Sequence, residues 1–79
     1  MLPLPTIHPV TSTIQIIVNG QSREVPSGTS VAGLIAELGL AKAACAAEVN
    51  KLLVPRKQHG DRILADRDRV ELVTLVGGG

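Results

Sequence analysis

One segment of this chain carries a bounded helical stripe, and that single helix constrains the fold more than any other feature. Val31, Leu34, Ile35 and Leu38 recur at i, i+3, i+4 and i+7, which gathers them on one face. Ser30 precedes the stripe, where its hydroxyl can accept an orphan backbone N–H. Gly39 follows as the left-handed residue that ends a helix, with apolar Leu40 behind it. The pattern predicts about nine helical residues whose apolar face needs a sheet to cover.

The rest of the chain reads as strands. Ile14, Ile16 and Val18 alternate with Thr13, Gln15 and Ile17, and Asn19-Gly20 then supplies a two-residue hairpin turn. The return strand runs from Gln21 to Val25 and ends at Pro26-Ser27-Gly28. Alanine-rich residues Ala43 to Val49 have helical propensity. Because the helix upstream is already capped, they are assigned as a strand that pairs with Leu52-Leu53-Val54 across Asn50-Lys51. A turn at Ala65-Asp66-Arg67-Asp68 leads into a last strand from Arg69 to Val76. Strands with one covering helix define an α+β domain, a mixed sheet of four to five strands under one main helix. Its last strand is expected to lie centrally, beside the first. Residues 1–12, with Pro3, Pro5 and Pro9, read as a flexible leader, residues 13–76 as the domain, and residues 77–79 as a flexible glycine tail.

Size and composition exclude several functions. A chain of 79 residues makes one small domain, with no room for a private catalytic cleft beside its core. It contains no Phe, Tyr or Trp, so no side chain can stack on a base, and its net charge of +1 is interspersed. Neither nucleic acid nor a membrane is an expected partner. The single Cys45 precludes an internal disulfide and fits a reducing, cytoplasmic setting; in a strand it reads as a small buried hydrophobe.

The catalytic candidates fail quickly. Asp66, Asp68 and Glu71 lack the calcium-loop spacing, and Arg67 and Arg69 interleave with them. His59 and Cys45 have no orienting third group in the sequence, and His59 stands in the polar stretch Arg56 to Arg62, read as a solvated loop. His8 has no nearby partner ligand. No metal and no bound cofactor are expected.

The end of the sequence is different. An apolar strand runs directly into Gly77-Gly78-Gly79. Read alone, such a run is equally a frayed terminus or a linker. After a strand held in a sheet, it is a slender stalk that can thread a slot closed to any other residue. The candidate reactive group is then the carboxylate of Gly79, with Gly77 and Gly78 giving reach and fit. The last strand is apolar on both parities, Val70 and Leu72 on one and Val73 and Leu75 on the other. A strand covered on one face exposes the second set, so Val73 and Leu75 are the expected docking surface for a partner.

These residues carry a family resemblance. Asn19-Gly20, the run Val25 to Ala32, Leu38-Gly39-Leu40, Glu48-Val49-Asn50, Val54-Pro55-Arg56, Asp68 to Glu71 and Gly77-Gly78-Gly79 together resemble the ThiS/MoaD-like family. Within it the likeness is to ThiS, the sulfur carriers of thiazole formation in thiamine biosynthesis, and it covers Thr13 to Gly79. It implies the ubiquitin-like β-grasp fold and a carrier that is not itself an enzyme. A ThiF-type, E1-like adenylating enzyme using ATP with magnesium would activate Gly79. A persulfide from a cysteine desulfurase or rhodanese-like donor would convert it to a thiocarboxylate, and thiazole synthase would accept the sulfur.

Two positions depart from the family pattern. Arg67 stands where the family usually has glycine in Asp-Gly-Asp, and a positive φ there would strain it by roughly 1 kcal/mol. The alanines from Ala43 to Ala47 replace bulkier strand residues. Three other readings remain open: the small subunit of molybdopterin synthase, a ubiquitin-like modifier joined to lysines, and a small interaction domain with an incidental glycine end.

Overall fold

Backbone alternation and turn chemistry place five strands and one helix in a computed structural model that describes residues 12–75. Strands β1 (Thr13–Val18) and β2 (Gln21–Pro26) form an antiparallel hairpin. Helix α1 spans Val31–Glu37. A second antiparallel hairpin joins β3 (Ala44–Val49) to β4 (Leu52–Val54), and β5 spans Arg69–Leu75. The sheet order is β2-β1-β5-β3-β4, so the last strand lies at the centre, parallel to β1 and antiparallel to β3. The leader over residues 1–11, Val76 and the tail Gly77–Gly79 lie outside the described residues.

The expected elements are present with small shifts. β2 runs one residue further, to Pro26, and β3 begins at Ala44 rather than Ala43. Helix α1 has 7 residues, because Leu38 already leaves helical geometry as the C-cap. Gly39 then takes φ 77°. Its N–H donates to Ala36 C=O and that of Leu40 to Ile35 C=O, both at 3.0 Å, closing a Schellman motif.

The core lies between α1 and one face of the sheet. Val31, Leu34 and Ile35 pack with Ile16, Val18 and Val25 of the first hairpin, Ala47, Val49 and Val54 of the second, and Val70 and Leu72 of β5. Purely aliphatic packing of this kind stabilises by roughly 25 cal/mol for each Å² of apolar surface buried. Cys45, expected as a small buried hydrophobe, packs against the margin of this cluster and is half-buried there.

The segment from Arg56 to Arg62 is not a plain solvated loop. Arg56–Gln58 form a 3-10 turn, and His59 behind it is buried, with Nε2 3.0 Å from Val54 C=O. Arg62 and His59 C=O accept from the N–H groups of Val31 and Ala32, at 2.9 and 2.8 Å, and Ser30 Oγ accepts from Gly33 N–H at 3.0 Å. These three acceptors satisfy the first-turn donors that the helix cannot pair itself.

Candidate functional site

The site is the outgoing end of β5. The aspartate turn before it is a hydrogen-bonded knot. Asp68 is buried; its Oδ1 accepts from Asn50 Nδ2 at 2.9 Å and its Oδ2 from Ala65 N–H at 2.8 Å. Arg62 lies 3.6 Å from the same carboxylate. Asp66 Oδ1 accepts from Gln15 N–H at 2.8 Å, tying the turn to β1. Arg67 sits between them at φ 70°, the left-handed geometry foreseen for a residue in the glycine position. Asp66 and Asp68 are therefore architectural, and they fix where β5 begins.

Two asparagines then grip the strand from either side. On the β1 side, Asn19 N–H donates to Val70 C=O at 2.9 Å. The Asn19 side chain accepts from Leu72 N–H at 2.8 Å and donates to Leu72 C=O at 3.2 Å, extending the ladder past the end of β1. On the β3 side, Asn50 N–H donates to Arg69 C=O at 2.8 Å, and Asn50 Oδ1 accepts from Arg69 N–H at 2.9 Å. Both residues hold the hairpin turns at positive φ, 49° and 53°. Sequence reading placed them as turn residues but missed the clamps, since no local spacing announces a partner 53 residues away.

Beyond Leu72, β5 is paired only with β3, Val73 opposite Ala46 and Leu75 opposite Ala44. Val73 and Leu75 are 57% and 56% exposed, whereas Val70 and Leu72 are buried. The structure thus places the two expected docking residues together on the open face of the sheet. Gly77, Gly78 and Gly79, the other expected site residues, lie outside the described residues.

Among the described residues no group of three His, Cys, Asp or Glu side chains is arranged to hold a metal. Cys45 and His59 do line one cleft of about 280 Å³ with Arg56 and Ala43. His59 already spends Nε2 on Val54 C=O, which makes it a structural residue. No helix among the described residues is long and apolar enough to cross a membrane.

A mixed five-stranded sheet under one helix, with the last strand central and its outgoing end exposed, defines a domain of the ubiquitin-like β-grasp class. Residues 16–79 match the ThiS family model, and the chain belongs to the ThiS family. It is 32% identical over 66 residues to the sulfur carrier protein ThiS of Escherichia coli K12, covering 84% of this chain and 100% of that protein. It is 36% identical over 66 residues to the thiazole synthase of Magnetococcus marinus, of whose length the match spans only 20%. The crystal structure of the thiamine biosynthesis protein ThiS from Geobacter metallireducens superposes with a TM-score of 0.71. Identity there is 28%, over 84% of this chain and 100% of that one.

Proposed function

We propose that this chain carries sulfur on the carboxylate of Gly79 and donates it to thiazole formation in thiamine biosynthesis. A carboxylate is a poor electrophile until one oxygen becomes a good leaving group. Attack of the Gly79 carboxylate on the α-phosphorus of ATP, in a ThiF-type enzyme with magnesium, expels pyrophosphate and forms the acyl-adenylate. The terminal sulfur of a cysteine-desulfurase or rhodanese-like persulfide attacks the acyl carbon, and AMP departs. A second thiolate attacks the donor's sulfur of that acyl disulfide, forming a disulfide with the donor cysteine as the S–S bond breaks and the thiocarboxylate leaves. The carrier supplies the acyl group, its partners supply the catalysis, and the single half-buried Cys45 suits a cytoplasmic setting.

The observation that carries this reading is membership of the ThiS family over residues 16–79. The clamp on β5 supports it physically, because Asn19 and Asn50 fix the base of the strand that leads to the glycines. The match to a segment of a thiazole synthase favours a thiazole acceptor over a molybdopterin one, since it links such a domain with that enzyme in one chain.

The test is the intact mass after incubation with ATP, an adenylating enzyme and a persulfide source. One oxygen-to-sulfur exchange, localised to Gly79 by fragmentation, is expected. An unchanged mass, with the enzyme active on a known carrier, would refute the proposal. We further assign Val73 and Leu75 as the docking surface. Leu75→Glu is expected to raise the KM of the carrier in adenylation about tenfold or more, while circular dichroism stays unchanged.

A further inference from the structure

On the open face of the sheet Glu48 of β3 stands directly opposite Glu71 of β5. Cross-strand partners on one face bring their Cβ atoms to about 5 Å, and like charges at that spacing destabilise the sheet. Both residues are exposed, and the ion pairs among the described residues are Arg23–Glu37, Arg62–Asp68 and Arg67–Asp66. Neither carboxylate is neutralised. Arg69, two residues before Glu71 on the same face, pairs with neither of them.

The pair adjoins the apolar patch. Leu53 of β4 is the cross-strand partner of Glu48 and is 67% exposed. In the other direction the next rows are Ala46 with Val73 and Ala44 with Leu75. Two unneutralised acids therefore sit inside an exposed aliphatic surface that leads toward the glycine tail.

We propose that Glu48 and Glu71 together receive one basic side chain, an arginine or lysine flanked by apolar groups, on the adenylating enzyme. The proposal rests on the sulfur-carrier reading and adds the charge of the partner surface. Two carboxylates across one rung suit a planar guanidinium, and aliphatic neighbours that exclude water strengthen the contact. The repulsion present in the free carrier is relieved only in the complex. A second copy of this chain is a poor occupant, because the strand residues of this face carry Glu24, Glu48 and Glu71 against Arg69 alone.

The experiment compares Glu48→Gln, Glu71→Gln and the double variant with the wild type in ATP–pyrophosphate exchange catalysed by the adenylating enzyme, at low and high salt. The double variant is expected to raise the KM for the carrier about tenfold at low salt, with a smaller effect at high salt. Its melting temperature stays level or rises. Unchanged KM at low salt would overturn the proposal. So would a fall in melting temperature, which would make the pair structural. If the wild type itself supports no exchange, the sulfur-carrier reading falls first and takes this proposal with it.

Discussion

The two hairpin turns solve one problem with unequal means. Both open with an asparagine at positive φ and close with a second positive-φ residue, Gly20 at 82° in the first and Lys51 at 69° in the second. Glycine adopts that geometry freely, whereas a side chain there costs roughly 1–2 kcal/mol. The asparagine that opens each turn also reaches β5, Asn19 at Leu72 and Asn50 at Arg69, and Asn50 holds Asp68 just before the strand as well. The lesson is that a turn position chosen for backbone geometry can simultaneously locate a strand distant in sequence. The second turn keeps that function while tolerating strain at its other residue.

The sharpest test of this comparison is Asn50→Ala. It removes the bond to Arg69 N–H, takes a donor from the buried Asp68 and forces alanine to φ 53°, so a loss of about 3 kcal/mol in urea unfolding is expected. Asn19→Ala should cost less, about 2 kcal/mol, because Leu72 lies toward the open end of β5. Its signature is faster amide exchange at Leu72, and equal protection in variant and wild type would remove the clamp. The turns' second positions give a mirrored pair of smaller effects. Gly20→Ala meets no atom within 4 Å at φ 82°, so its expected cost of about 1 kcal/mol is purely backbone strain. Lys51→Gly should gain about 0.5–1 kcal/mol, since relief of strain exceeds the entropy that glycine loses. Arg67→Gly should gain slightly less, because it also discards the exposed Arg67–Asp66 pair. Thermal melts of the three variants check the ranking, and a loss on Lys51→Gly would break it.

Local rules made most of this fold legible. The helix stripe, Ser30, Gly39, Asn19-Gly20 and the two-faced pattern of β5 each obey short-range geometry, and each lies where the periodicity puts it. What escaped depends on partners far along the chain. His59 looks like a loop residue until β4 offers Val54 C=O and α1 brings its unpaired N–H groups. The Asn19 and Asn50 clamps, and Glu48 facing Glu71, follow from sheet register rather than from any motif. At the end of β5, parity showed that one of two apolar sets must be bare, because a sheet with one helix has one open face, and the exposed set is Val73 and Leu75.

The central place of β5 also sets the order in which the molecule can come together. The first hairpin and the second do not pair with each other; the sheet is joined only through residues 69–75. A lone two-stranded hairpin is marginal in water, and the second hairpin gains its place in the sheet only when this last strand pairs with β3. On a ribosome the five-stranded sheet cannot be completed until residues 69–75 have emerged. A chain interrupted before residue 69 lacks the strand that joins the two hairpins, and faster cleavage by proteases than in the whole domain is its expected signature.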